Sequence, residues 1–229
     1  MRLNLSRLFR HRKAGWSIVV MIIGIFACLS GLMATLMGAP LAWWRAREAA
    51  RLPRPLVTEL ETLPPGTDAL FTGWVPASEF ELNRPHGLVL YKVERAAETE
   101  GTATPGPSTP WVLETPPRDR IRFQLTEDEA VTLQLPEDVT FANAHVFEAE
   151  EESVTRRYTG YLPDQVLTVE GTWERARLVT ARALYAGPPD AYVAHLRRQP
   201  GQLAVGGAFC GGMGFVLLLV AAGLRLLGK

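Results

Sequence analysis

Cysteine is scarce in this chain and absent from its middle. The only two, Cys28 and Cys210, both fall inside long uncharged stretches near the ends. The segment between those stretches therefore contains no disulfide, no zinc–thiolate site and no cysteine nucleophile. This usage is compatible with export but does not determine the redox compartment.

Charge is missing from two stretches, Ala14–Trp44 and Leu203–Leu224. Each is long enough to cross a hydrocarbon core of about 30 Å at about 1.5 Å per residue. Trp16 lies at one end of the first stretch and Trp43 and Trp44 at the other, where indole rings favour the headgroup boundary. A cleaved signal peptide is the alternative for the first stretch, but its apolar run exceeds the usual length of about 7–15 residues. We predict two retained transmembrane helices with these three tryptophans as interface anchors.

Acidic residues are missing from both ends, so the charge is uneven. All 24 acids lie between Glu48 and Asp190, and they outnumber the 17 Lys and Arg found from Arg45 through Arg198. An anionic middle lacks the clustered basic face that nucleic acid requires, so no nucleic-acid partner is expected. Neither span has an ionisable residue in its middle, which argues against transport by this chain alone.

The distribution of basic residues predicts an orientation. Residues 1–13 hold five basic side chains and no acid, which favours a cytoplasmic N-terminus. Two spans then return the C-terminus to the same side. Arginines at the far end of the first span oppose this assignment: Arg45, Arg47, Arg51 and Arg54. We predict a multi-pass protein of the cell (inner) membrane with both termini cytoplasmic and the middle domain extracytoplasmic.

Short alternating segments between Gly and Pro turn signals indicate a β-rich middle. We expect about seven strands, at residues 68–75, 87–98, 121–126, 130–136, 144–150, 164–174 and 176–187. The third and fourth are expected to form a hairpin. The fold class predicted is an α+β membrane protein, with two transmembrane helices flanking a small, mostly antiparallel, OB-like β-barrel.

The predicted organisation has seven parts. A basic tail over 1–13 precedes transmembrane helix 1 over 14–44, a juxtamembrane helix and linker over 45–67, and the barrel domain over 68–187. A helix over 188–200, ending at Pro200, leads to transmembrane helix 2 over 201–225 and a tail over 226–229. Within the domain, residues 98–117 are rich in Pro, Gly, Ser and Thr, which predicts a mobile loop.

Glycines recur at helical spacing in both spans, at Gly31 and Gly38 in the first and at Gly207, Gly211 and Gly214 in the second. Small residues let helix backbones approach closely in lipid. We predict transmembrane packing through these positions, most simply between the two spans of one chain, and a homodimer contact is the alternative.

No motif for catalysis or metal binding is evident. The four histidines, His11, His86, His145 and His195, show no metal-ligand spacing. The four glutamates in "EAEEES" (148–153) match no calcium loop, and Arg156 and Arg157 directly after them are expected to neutralise them. We predict no catalytic, cofactor or metal residues, and no cofactor.

Three stretches and one tryptophan resemble the GIDE family, also called BAM for "beside a membrane". They are "GLVLYKVER" (87–95), Trp111, "RFQLTEDEAVTLQLP" (122–136) and "RRYTGYLPDQVLTVEGTWE" (156–174), so that the resemblance covers about 68–200. Two positions depart from the family pattern: Gly160 replaces a glutamate, and Asp164 lies near the turn. Only "RLLGK" follows the second span, without the Cys/His ligands of a RING, so the resemblance implies an architecture and not ubiquitin-ligase activity.

These features together predict a non-enzymatic protein that presents a binding or scaffold domain beside the lipid bilayer, with another membrane or envelope protein as its partner. One alternative is a subunit of a stomatin or membrane-protease assembly, as in NfeD-type proteins. The other is an envelope enzyme that uses histidines or carboxylates of the barrel domain.

Overall fold

A computed structural model describes residues 5–79, 85–96, 110–151 and 154–227, with side chains described from residue 18 to 223 apart from residue 79. The chain divides into two compact units. Met1–Glu48 and Ala194–Lys229 form one, here called the helical unit, and Ala49–Val193 form the other, the β unit.

Two long helical segments make up the helical unit. The first comprises α1 (Leu5–Met33), a π-helical stretch (Ala34–Gly38) and α2 (Ala39–Ala49), and the second is α3 (Pro189–Leu227), which belongs to this unit from Ala194 onward. Both are long and apolar enough to cross a membrane, over Ile18–Ala49 and Pro189–Gly223.

Helix α3 continues through Pro200, so the predicted helix end at that residue is wrong. Proline lacks a backbone N–H, and its ring crowds the carbonyl four residues earlier, which commonly ends a helix in water. Apolar helices tolerate it because neighbouring groups or small local adjustments satisfy the released carbonyl. Pro189 occupies the first turn, where the missing N–H costs nothing.

The described residues of the β unit form ten strands. They are β1 (Thr67–Gly73), β2 (Leu90–Ala96), β3 (Trp111–Thr115), β4 (Arg120–Gln124), β5 (Ala130–Gln134), β6 (Thr140–Ala142), β7 (His145–Glu151), β8 (Val154–Tyr161), β9 (Leu167–Trp173) and β10 (Leu178–Ala186). Short 3-10 turns occupy Val57–Thr62, Ala77–Glu79 and Pro85–Gly87.

These strands form two sheets. The first has the order β1-β9-β10-β5-β4, with β6 also beside β10, and the second has the order β3-β2-β8-β7. All pairs are antiparallel except those of β10 with β5 and with β6. The predicted hairpin is confirmed: β4 and β5 are antiparallel, with Phe123 opposite Val131.

The predicted closed barrel is wrong. The outer strands of the first sheet meet only through one bridge, where Trp74 and Gln124 exchange two backbone hydrogen bonds of 2.8 Å. The stretch 156–174 is divided between the two sheets, because β8 belongs to the second sheet and β9 to the first. The chain crosses between sheets at a turn where Asp164 has a φ of 55° and its N–H donates to the Val75 carbonyl.

Part of the predicted mobile loop over 98–117 is ordered strand. Strand β3 occupies Trp111–Thr115 and pairs with β2, while residues 98–109 lie outside the described residues. The Pro-rich composition concealed a short run that finds partners across the sheet. Strands β6 and β8 were also not predicted.

The main core lies on the inner face of the first sheet. Its largest fully buried side chains include Phe71, Phe123, Leu133, Leu167 and Leu184. Full burial of such a side chain contributes roughly 1.5–3 kcal/mol. The core of the second sheet is smaller, with Leu88, Val93 and Tyr158 buried together. The two sheets are thus stabilised unequally.

Candidate functional site

The predicted packing glycines lie where the two helical segments approach each other. A Cβ built on Gly31 would lie 2.5 Å from the Gly211 nitrogen and even closer to the Gly207 carbonyl oxygen. A Cβ on Gly214 would lie 2.6 Å from the Cys28 nitrogen. No side chain fits at these distances without backbone movement, so glycine is required for the approach.

Gly38 and Gly211 have more room than Gly31, Gly207 and Gly214. A Cβ on Gly211 would meet nothing within 4 Å, so only its backbone contributes to the contact with Gly31. A Cβ on Gly38 would meet only the Leu203 side chain, at an ordinary 3.7 Å. Gly24, which was not predicted, lies closer, because its Cβ would be 3.0 Å from the Gly214 carbonyl oxygen. The structure therefore brings Gly31, Gly207, Gly211 and Gly214 together and leaves Gly38 at the margin.

Large apolar side chains cover the opposite faces of the same helices. Phe26 and Phe209 are each 68% exposed and Val205 is 72% exposed. Trp43 and Trp44 are also exposed, and the guanidinium of Arg47 lies 5.3 Å from the centre of a Trp43 ring. The side chain of Trp16 lies outside the described residues.

In the β unit, aromatic rings and two histidines meet on one face of the second sheet. His86 stacks on Phe147 with 4.9 Å between ring centres and meets the Tyr158 ring edge-on, also at 4.9 Å. His145 lies on the same side of β7 as Phe147, two residues earlier, and stacks on it at 6.4 Å. We call His86, His145, Phe147 and Tyr158 the aromatic cluster.

Local backbone geometry explains how His86 reaches this face. Its φ is 53°, a left-handed conformation that histidine adopts more readily than most residues, and Gly87 follows at 75°. Antiparallel pairing places Phe147 opposite Tyr158 on β8. The sequence shows no spacing that predicts the meeting of His86 with His145, since it depends on this tertiary turn.

Charged side chains continue the same face beside the aromatic cluster. Arg156 donates to Glu114 at 2.8 and 3.0 Å and to Glu151 at 3.1 Å, and the Tyr158 hydroxyl donates to Glu151 at 2.6 Å. We call Glu114, Arg156 and Glu151 the charge ladder. The ladder ties β3, β8 and β7 together across the sheet.

The expected pairing of the acidic run with two arginines is found for two of its four glutamates. Arg156 pairs with Glu151 on one face, and Arg157 pairs with Glu148 at 2.7 Å on the other. The Arg157 guanidinium also lies 3.8 Å from the ring centre of Trp111, a distance that permits cation–π attraction. Alternation along β8 sends the two neighbours to opposite faces.

These contacts determine the protonation of the groups. A hydrogen bond from Tyr158, helped by Arg156, lowers the pKa of Glu151, and a hydrogen bond from Arg156 lowers the pKa of Glu114. Burial and the bond to Glu151 raise the pKa of Tyr158 to about 12. At neutral pH these hydrogen bonds favour charged carboxylates and a protonated phenol.

A second polar group lies on the outer face of the first sheet. The Tyr192 hydroxyl donates to the buried Glu170 carboxylate at 2.5 Å. Two residues further along β9, the Thr172 hydroxyl donates to Asp68, which also pairs with Arg182 at 2.7 Å. Partial burial opposes ionisation of Asp68, but these two hydrogen bonds outweigh it and lower its pKa. The alternation of Thr168, Glu170 and Thr172 in β9 could have revealed this polar face.

Neither group has the composition of a metal centre. Within the residues that the structure describes, no three His, Cys, Asp or Glu side chains are grouped so as to hold a metal ion. The arrangement instead offers flat aromatic faces beside paired charges, which suits recognition of another surface. Comparison of the chain with protein-family models, with curated proteins and with solved structures finds no match.

Proposed function

We propose that this chain is a two-span membrane protein that presents a two-sheet β unit beside the bilayer as a non-enzymatic binding or scaffold module. The observation that carries the proposal is the reversed arrangement of the helical unit, in which glycines pack inward and large apolar side chains face outward. Among described side chains, 22 of the 28 exposed large apolar residues belong to this unit.

Water does not favour such an arrangement. Leaving one large apolar side chain in water instead of burying it forgoes roughly 1.5–3 kcal/mol. Repeated over both helices, that loss exceeds the total stability of a typical domain, about 5–15 kcal/mol. In lipid the loss disappears, and close backbone packing at small residues becomes the main attraction between helices.

The β unit supports a binding role more than a catalytic one. Its second sheet exposes Leu113 and Val146, close to the Arg157–Trp111 contact, and its carboxylates are engaged by arginines. We propose a membrane or envelope protein as the partner, a β unit on the extracytoplasmic side of the inner membrane, and both termini in the cytoplasm. The GIDE-like architecture also stays a proposal, with two sheets in place of the expected barrel.

Site-specific labelling tests the membrane assignment and its orientation together. Asp138 is exposed, and the β unit has no cysteine of its own, so Asp138→Cys in a Cys28→Ala, Cys210→Ala chain gives a single reactive thiol. We expect the chain to remain in membranes after alkaline carbonate washing and to react with a membrane-impermeant maleimide in intact cells.

Two results separate the two parts of this proposal. Release of the folded chain by carbonate contradicts membrane integration. Retention in the membrane with labelling only after permeabilisation supports integration and reverses the orientation. Glu137→Cys, at a position that is also exposed, is the matched second variant, and the two variants must give the same labelling result.

A further inference from the structure

We propose that the helical unit binds anionic phospholipid headgroups through four exposed arginines at one end of its helix pair: Arg45, Arg47, Arg197 and Arg198. We call this set the arginine belt. The inference rests on the proposed membrane function and adds a ligand class, the phosphate group of an anionic lipid.

The glycine contacts place the four arginines at one level. Gly24 faces Gly214, Gly31 faces Gly207, and further along position 38 faces Leu203. The two segments are therefore antiparallel, and continuing this register places positions 40–44 opposite residues 197 and 198. Arg45 and Arg47 follow within a turn or so, so that all four lie within about 10 Å along the axes at about 1.5 Å per residue. A headgroup layer is only a little thinner, at roughly 5–8 Å.

The same level carries the aromatic residues typical of a membrane interface. Trp43 and Trp44 are exposed between the apolar faces and the belt. Arg47 lies over Trp43, which holds the guanidinium near the ring while leaving its edge N–H groups available. The tryptophans and the arginines thus independently favour the level at which lipid phosphate groups lie.

The charges of the belt are unbalanced within the helical unit. None of the four arginines forms an ion pair in the part of the chain that the structure describes, and Glu48 is the one acidic residue of this unit. Guanidinium groups bind phosphate through paired hydrogen bonds. Each arginine near an anionic surface strengthens association about fivefold, so four together produce a large selectivity for anionic over zwitterionic lipid.

Fluorescence quenching by brominated lipid tests the belt in the full chain. The protein is reconstituted in phosphatidylcholine vesicles with a tenth of the lipid replaced by brominated phosphatidylglycerol or, in parallel, by brominated phosphatidylcholine. We expect the phosphatidylglycerol to quench several-fold more efficiently. The Trp43→Phe, Trp44→Phe chain should lose most of this difference, which locates the signal at the belt.

A charge-matched pair of variants decides the outcome. Replacing all four belt arginines by glutamine should bring the two lipids to parity. The control replaces four exposed arginines of the β unit, Arg118, Arg120, Arg122 and Arg175, and should keep the preference. Equal quenching by both lipids in the unaltered chain, or equal loss in both variants, overturns the proposal.

Two further arms separate the sources of the effect. Inorganic phosphate at matched ionic strength should leave the preference unchanged; if it abolishes the preference while chloride does not, the belt is a site for free phosphate and the lipid assignment is wrong. Carbonate extraction of the same preparations is scored first. A chain that is extracted contradicts the membrane function itself, whereas an embedded chain without lipid preference contradicts only the belt.

Discussion

The helical unit and the β unit place the same residue types on opposite sides. Phe26 and Phe209 in the helices are 68% exposed, whereas Phe71 and Phe123 in the first sheet are 2% and 0% exposed. Under the proposed membrane assignment both units obey the same rule, that apolar surface is moved out of water: into lipid for the helical unit and into the protein interior for the β unit.

Burial of large side chains alone therefore does not identify the residues that stabilise each unit. In the β unit, stability depends on large buried side chains. In the helical unit it depends on side chains that are missing, because the backbones meet at Gly31, Gly207 and Gly211. Substitutions of the same type should therefore have consequences of very different size in the two units.

The largest expected effect is on the β-unit core. Phe123→Ala should lower the free energy of unfolding by about 3–5 kcal/mol, because the ring is fully buried and its removal leaves a cavity. Phe26→Ala, on the exposed face of α1, should change it by less than about 0.5 kcal/mol. Unfolding of the full chain in mixed micelles with increasing SDS, followed by tryptophan fluorescence, measures both. Equal losses in the two variants would show that Phe26 contributes to stability as much as the buried Phe123 does.

The next effect concerns the glycine contact. Gly31→Val should force the helices apart, at a cost of about 1–3 kcal/mol for overpacking, whereas Gly206→Val should be tolerated because a Cβ there meets nothing within 4 Å. Cys28 packs against Gly211 and Gly214, so its labelling by N-ethylmaleimide in a Cys210→Ala chain reports opening. We expect labelling about tenfold faster for Gly31→Val. Similar rates for both valine variants would show that the helices do not meet at Gly31.

A smaller effect is expected at the charge ladder. Arg156→Ala leaves Glu114 and Glu151 without their shared partner and should lower the Tm of the β unit by a few degrees. Arg175→Ala, at an exposed position without an ion pair among the described residues, is the matched control and should leave Tm unchanged. Scanning calorimetry of the full chain in detergent distinguishes the two. A ladder that adds nothing to stability would give identical melting curves.

The smallest effect is on the acid dependence of stability. The folded-state pKa values of Glu114, Glu151 and Asp68 are lowered, so their contribution is present above the unfolded value of about 4 and is lost as pH falls through the folded values. Glu151→Gln should flatten the loss of Tm below pH 4, while Glu137→Gln should not. A steeper loss in Glu151→Gln would reverse the assigned sign.

Local periodicity accounts for much of what was predictable. Seven of the strands lie within or close to the expected segments, and both long helices coincide with the uncharged stretches. Strand β3 was not predicted because its partners, β2 and the Arg157 side chain, are distant in sequence. The prediction of a closed barrel was wrong for a similar reason, because strand pairing depends on contacts between segments distant in sequence. No local sequence pattern indicates that β8 and β9, which are consecutive in the chain, belong to different sheets.

In the candidate site, too, local features were predictable from the sequence and tertiary contacts were not. Pairing of the acidic run with Arg156 and Arg157 was predictable, because opposite charges stand next to each other in the sequence. The stacking of His86 and His145 on Phe147 was not, because it requires a left-handed turn whose position the sequence does not mark. Pairing of Glu170 with Tyr192 likewise depends on how the start of α3 packs on the first sheet.

The most direct test of whether the exposed apolar face of the helical unit lies in lipid uses a native residue. Cys210 is exposed in the middle of the apolar part of α3. A spin label attached there, in a Cys28→Ala chain reconstituted in vesicles, reports collisions with oxygen, which concentrates in lipid, and with a water-soluble nickel complex. If the apolar face of α3 lies in lipid, the label at position 210 collides often with oxygen and rarely with the nickel complex. Frequent collisions with nickel, or shielding from both reagents by protein, would show that this face does not lie in lipid.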